Sequence, residues 1–215
     1  MSQESATPTP LSGRRRQAAL NDQRILEAAR EVFIANPDAP ISAVAHRADV
    51  GISALYSRYG SKDELLRKLC ADGMALVISI VEAALQDDRD RWTVFSDFMS
   101  KMVDAGTSAL TLALAGKFDP TEELFTMANR SSELMATLFD RIKAELRPGV
   151  DMNDLALIFE QLAAVKLGDR ERSAQLRNRY LAVVLDGLRA ETGGRLPGTP
   201  PNWAEISTRW MPAKS

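Results

Sequence analysis

Cysteine and histidine are almost missing from this 215-residue chain, which carries one of each. With Cys70 alone no intramolecular disulfide can form, and nothing argues for an oxidising compartment. With His46 alone no histidine pair, His–Cys metal set or Ser–His–Asp triad can be assembled. Gly116-Lys117 has the look of a phosphate loop, but Thr111 stands where its first Gly belongs and Phe118 replaces its Ser or Thr. The carboxylates are scattered over polar helix faces. An enzyme, a metal site and a cofactor are therefore not expected. Long apolar runs are also scarce. The N-terminus has no apolar signal core, and Ser79 and Glu82 interrupt residues 74–85, short of the ~20 apolar residues a membrane span needs. The expectation is a soluble, cytoplasmic chain with no membrane partner. A net charge of −2 argues against a general nucleic-acid coat but leaves room for a local basic surface.

What is present is helical periodicity, with no strand-like alternation and no internal repeat. The most informative stretch is residues 41–69. Ile41, Val44, Ala45 and Ala48 recur at helical spacing. Asp49-Val50-Gly51 breaks the pattern with two residue types that tolerate the left-handed conformation. A second short helix over 52–59 puts Ile52, Leu55 and Tyr59 on one side and Ser53, Tyr56 and Ser57 on another. Gly60-Ser61 ends it, and Ser61 with Glu64 forms a capping box for a long helix that begins with Leu65, Leu66 and Leu69. Two short helices around a Gly-containing turn are the shape of a helix-turn-helix, whose second helix enters the DNA major groove. Small Gly51 and Ser53 let the backbone approach DNA. Ile52 and Ala54 suit thymine methyls, and Ser53 or Ser57 can hydrogen-bond either base type.

The surrounding charge supports a DNA-facing end. Residues 13–68 hold ten basic and seven acidic side chains in a chain that is acidic overall. Residues 1–13, rich in Ser, Thr, Pro and Gly, read as disordered, and Arg14-Arg15-Arg16 follow as an arm for phosphates or the minor groove. Asn21 or Asp22 caps the first long helix, with Ile25, Ala28, Ala29, Val32 and Phe33 inward, ended by 36–40. Phe33 and Val32 are expected to share a small core with Val44, Val50, Leu55 and Leu65.

The arrangement resembles the DNA-binding domain of the tetracycline-repressor (TetR) family of bacterial regulators. Val44-Ala45, Ala48, Val50, the run 51–56, Tyr59, Lys62 and Leu65 carry the resemblance, over roughly residues 20–70. Asp49 departs from the family's usual Gly, and Arg58 from its common His or Tyr. The resemblance implies that Tyr56 and Arg58 lie against phosphates, that Lys62 binds a phosphate at a helix N-terminus, and that Ser42 touches DNA.

Downstream the pattern continues as helices over 62–86, from Trp92 to Gly106, over 109–115, from Phe118–Thr121 to Arg147-Pro148-Gly149, from Asp151 to Gly168, and over 170–191. Cys70, beside Leu66, Leu69 and Gly73, reads as a buried small residue. Trp203 and Trp210 are expected to fold the Pro-rich tail back. The expected fold is all-α, about nine helices: a three-helix DNA-binding domain with helix-turn-helix joined to a larger helical ligand-binding and dimerisation domain. Its parts would be 1–19 (arm), 20–68 (DNA binding), 69–193 (effector and dimer) and 194–215 (tail). Trp92, Phe95, Phe98, Met99, Met102, Phe118, Phe125 and Met127 read either as core or, as the resemblance implies, as the lining of an apolar effector cavity. The resemblance also implies that the last two long helices, with Leu155, Phe159, Leu162, Tyr180, Val184 and Leu188 inward, pair with a second copy. Expected partners are thus a palindromic operator in double-stranded DNA, a largely apolar small molecule and a homodimer mate. The function is that of a ligand-responsive regulator, a repressor. The alternative is an all-helical small-molecule-binding protein whose DNA-binding activity is lost.

Overall fold

The structure, a computed structural model, describes residues 13–207. Residues 1–12, Trp210 and the side chains of Arg14, Arg15 and Arg16 lie outside that description. Among the described residues there are ten α-helices and no strand, and the chain divides into two compact units after Lys62.

The smaller unit holds α1 (Gly13–Ala35), α2 (Ile41–Ala48) and α3 (Ile52–Tyr59). Its core is the apolar stripe read from the sequence: Ile25, Ala28, Ala29 and Phe33 of α1 with Ile41, Val44, Ala45 and Ala48 of α2 and Leu55 of α3. Val32 and Val50 are half-buried at its edge. Helix α1 starts well before the expected cap. The Arg, Gln, Ala and Leu residues of 14–20 are strong helix formers, and the Asp22 carboxylate is engaged by residues of α3 instead of capping. The corner between α2 and α3 turns on Asp49, which takes the left-handed conformation (φ 55°, ψ 50°). Asp is one of the few L-residues that adopt it readily. The Asp49 N–H donates to His46 O at 3.2 Å and the Val50 N–H to Ala45 O at 3.0 Å. Gly51 is extended (φ −66°, ψ 137°), so its glycine freedom is not what shapes the turn.

The larger unit is built from α4 (Lys62–Gln86), α5 (Arg91–Ala105), α6 (Thr107–Leu114), α7 (Glu122–Ile142), α8 (Met152–Ala163), α9 (Arg170–Leu188) and the short α10 (Trp203–Ser207). Side-chain caps set most of the starts. Asp90 accepts from the Thr93 N–H at 2.9 Å, Thr121 from the Leu124 N–H at 3.4 Å and Asp169 from the Arg172 N–H at 2.8 Å. Asp151 accepts from the Asn153 N–H at 2.9 Å while Asp154 accepts from the Asp151 N–H at 2.8 Å, a reciprocal capping box. Helix α4 is long and apolar enough, by length and composition, to cross a membrane. This corrects the sequence reading, which considered only 74–85. Its Ile80, Val81 and Ala84 instead belong to a core shared with α5, α7, α8 and α9. Arg141 of α7 closes the C-terminus of α4, donating to Ala84 O at 3.3 Å, Leu85 O at 2.7 Å and Asp87 O at 2.5 Å.

Helix α9 stops at Leu188, where Arg189 leaves it as extended backbone (φ −71°, ψ 139°) and pairs antiparallel with Leu146. The expected role of Trp203 is corrected too. It is 65% exposed, and Ile206 of the same short helix is the buried anchor.

Candidate nucleic-acid interface

Among the described residues of α3, Leu55 alone is buried, at 0% exposure. An eight-residue helix pinned through one side chain offers the rest of its surface outward. Ser53, Ala54, Tyr56, Ser57 and Arg58 are exposed along it, as are Gly51 at its N-cap and Ile52 in its first turn. Ser42, on the first turn of α2, is exposed as well. Nothing lies within 4 Å of where a Cβ on Gly51 would stand, and its φ is ordinary. Neither backbone nor packing in the chain itself asks for a glycine there.

The cations of this unit are largely turned to partners within it. Arg47 pairs with Glu31 at 2.6 Å, and Arg24 reaches Asp49 at 3.9 Å. Arg58 forms a two-pronged pair with Asp22, Nε to Oδ1 at 2.8 Å and the second nitrogen to Oδ2. The Tyr59 hydroxyl donates to the same Oδ1 at 2.9 Å. The Asp22 hydrogen bond and charge raise the Arg58 pKa. Burial first, and then Asp22, push the Tyr59 phenol well above its ordinary value. Lys62 donates to Ala39 O at 2.8 Å and Pro37 O at 3.2 Å, and its ammonium stands 5.2 Å from the centre of the Phe33 ring. The resemblance implies phosphate contacts for Arg58 and Lys62; within the chain itself both side chains are engaged by protein groups. The Asp22 signal was legible only as a cap, because its partner lies 36 residues away.

In the larger unit the expected effector residues separate. Phe95, Phe98, Met99 and Met102 are buried on α5, and rings follow one another from Trp92 to Phe95 (5.7 Å), Phe98 (6.3 Å) and Phe159 (6.3 Å, edge-on). Arg189 covers the Trp92 ring at 5.2 Å. Phe125 is 58% exposed on α7, while Phe118 and Met127 are half-buried. A void of about 10 Å³, water-sized, is lined by Phe95 and Phe98 with Met135, Leu138, Phe139, Ile142 and Leu155. Met135, Leu138, Phe139 and Ile142 recur at helical spacing along α7, a pattern that holds no sign of the α5 rings they meet. The dimer set needs a correction. Leu155, Phe159, Leu162 and Leu188 are at most 5% exposed within one copy, so their side chains fill its own core. The apolar surface of this end is Tyr180, Val183 and Leu167, at 49%, 65% and 62% exposure, with Val184 half-buried. Cys70 is half-buried, and burial raises its thiol pKa, away from a reactive thiolate.

An all-α chain whose exposed α3 follows a tight α2–α3 corner is a helix-turn-helix protein. Residues 25–69 match the model of the bacterial regulatory proteins of the tetR family. Over those residues, which span the latter part of α1, then α2, α3 and the start of α4, the chain is similar to the tetR-family regulators. Solved structures of similar fold include the TetR transcriptional regulator SCO0520 from Streptomyces coelicolor, at 23% identity and TM-score 0.52, covering 79% of this chain and 98% of that one. The TetR-like regulator LfrR from Mycobacterium smegmatis, solved in complex with proflavine, is 20% identical with TM-score 0.57, covering 82% and 99%. KstR2 of Mycobacterium tuberculosis, a ketosteroid transcriptional regulator, is 15% identical with TM-score 0.57, covering 85% and 98%. At these identities the likeness is one of fold. A comparison with curated proteins finds no match.

Proposed function

We propose that the chain is a ligand-responsive repressor that binds a palindromic operator as a homodimer in the cytoplasm and is released by a small, largely apolar molecule. The observation that carries the reading is the outward face of α3: Gly51 with open space over its Cα, then Ser53, Tyr56 and Ser57, all held by Leu55. Ser53 and Ser57 supply hydrogen bonds to base edges, Ile52 and Ala54 apolar contact to thymine methyls, and Tyr56 and Ser42 contacts to the backbone. Two copies, meeting through the Tyr180 and Val183 face of α9, would present two such helices to one duplex, which is why the operator is expected to be an inverted repeat.

The ligand class follows from the lining. The void between α5 and α7 has no polar side chain on it, so an uncharged apolar molecule fits its chemistry. At about 10 Å³ it is far below the roughly 300 Å³ of a usual ligand site. Binding therefore has to part α5 from α7, and the ligand acts only through its preference for the parted state. That the similar proteins include one solved with proflavine and one named for ketosteroids supports a small molecule as effector.

The test is a footprint on an operator selected from a randomised duplex library, repeated against a panel of uncharged apolar molecules with charged molecules as a control set. The reading expects protection of an inverted repeat, lost on adding one member of the panel. Protection that no apolar compound disturbs, while charged ones do, would overturn the ligand class.

A further inference from the structure

We propose that Asp22 is a specificity-setting residue of the DNA interface, holding the Arg58 guanidinium in a two-pronged ion pair that keeps this charge off the phosphate backbone. The inference rests on the DNA-binding reading of α3. Asp22 lies on α1, and Arg58 and Tyr59 are the last two residues of α3. One carboxylate thus receives Arg58 Nε at 2.8 Å and the Tyr59 hydroxyl at 2.9 Å on one oxygen, and the second guanidinium nitrogen on the other. Isolated surface ion pairs hold little, but the fork of a guanidinium on a carboxylate is the geometry that does.

Exposure decides what the pair is for. The Arg58 side chain is 57% exposed and that of Asp22 only 22%, so the carboxylate sits inside and the cation outside. Arg58 is within reach of a duplex lying on α3, yet its charge is already matched. A matched cation displaces no counterions from DNA and adds nothing to non-specific affinity. What remains on α3 is a neutral face of Ser53, Tyr56 and Ser57, which discriminates sequence and holds DNA weakly until the sequence is right. Asp22 also fixes the end of α3 opposite its N-terminal reading residues, a second anchor beside Leu55.

The experiment measures binding of the full-length protein to a labelled duplex of scrambled sequence by anisotropy, between about 50 and 200 mM salt. Wild type, Asp22→Asn, Arg58→Ala and the double variant are compared, with far-UV circular dichroism to confirm helicity. The expected result is that Arg58→Ala leaves the slope of log K against log salt at its wild-type value. Asp22→Asn steepens the slope by about 0.9, the increment for one released phosphate contact, and tightens scrambled-duplex binding several-fold at the low-salt end. The double variant returns to wild type, which separates the freed guanidinium from the mere loss of a negative charge. Arg58→Ala flattening the slope by about 0.9 in the presence of Asp22 would overturn the proposal, as would a folded Asp22→Asn protein with an unchanged slope. Should Asp22→Asn not fold, the Arg58→Ala slope decides alone. A wild-type protein that binds no duplex at any salt removes the DNA-binding reading itself, whereas wild-type binding with the wrong variant slopes removes only the role of Asp22.

Discussion

In the smaller unit α3 buries Leu55 alone among its described residues, whereas in the larger unit α5 buries six side chains, three of them at 0–1% exposure. The rest of the difference follows. Helix α3 has its outward face free for a partner, and its C-terminal end is fastened by polar contacts to α1. Helix α5 is gripped on several sides by α7, α8 and α9, and what it could offer a ligand is hidden between helices. A surface that reads DNA can be preformed and still wet. An apolar site that must exclude water is closed when empty, because a void in a packed core forfeits contacts on every side.

The comparison is broken most forcefully at Phe98. Phe98→Ala removes a fully buried ring and should cost about 3–5 kcal/mol in urea unfolding of the larger unit. It also enlarges the neighbouring void enough for benzene to raise the thermal midpoint, as dry engineered cavities do. A loss below about 1.5 kcal/mol, in the range of a tolerated swap, would mean the rings do not hold α5. Next comes Leu55→Ala, expected to cost about 2–5 kcal/mol in the smaller unit. Duplex binding should fall with it, since Leu55 is the apolar anchor of the whole face; binding retained at full strength would show that the polar contacts to Asp22 suffice.

Lys62 sharpens the same contrast at smaller scale. Its two carbonyl partners and the Phe33 ring make it a brace for the turn between α1 and α2. Lys62→Met should lower the stability of the smaller unit by about 1.5–3 kcal/mol, the range for charged hydrogen bonds, with an unchanged salt slope. Intact stability with a slope flattened by about 0.9 would return Lys62 to a phosphate. The smallest effect is expected at the exposed corner between α4 and α5. Hydrogen bonds from Arg89 hold the Asp87 carboxyl down to about 2. A pKa depressed by folding adds stability that is complete above the unfolded value of 3.8 and is lost as the pH falls toward about 2. Asp87→Asn should therefore cost its small loss of stability in full at neutral pH, and the difference from wild type should shrink as the pH falls below 3.8 and vanish near 2. A difference of similar size at pH 7 and pH 3 would contradict this.

Legibility follows the same division. The α2–α3 corner could be read from residues 41–60 because its signals are local: a helical stripe, a residue fit for the left-handed conformation, and a run of small and polar side chains. The helices of the larger unit were legible too, through their caps at Thr121 and Asp151 and their apolar periods. What was not legible is which stripes meet. The partnership of Phe95 with Phe139 and Leu155 around one void, or of Asp22 with Arg58, depends on contacts between residues far apart in the chain, for which spacing holds no signal. The same gap explains the dimer residues. An inward stripe on α8 looks alike whether it faces its own core or a second copy, and Leu155, Phe159 and Leu162 face their own. The start of α1 was missed for a different reason. An arginine-rich run reads as a solvated arm, yet arginine is also a good helix former, and the packed helix behind it extends through residue 13.

The central claim is that the outward face of α3 reads duplex sequence, twice over in one assembly. Selection of a randomised duplex library with the purified full-length protein, run in parallel with a Ser53→Ala variant, tests it most directly. The expected result is convergence on an inverted repeat whose half-sites lie one helical turn or a small multiple apart, with the variant relaxing the preference at a symmetric pair of positions and leaving the spacing intact. Enrichment of no sequence, or of a motif that Ser53→Ala leaves untouched at every position, would contradict it.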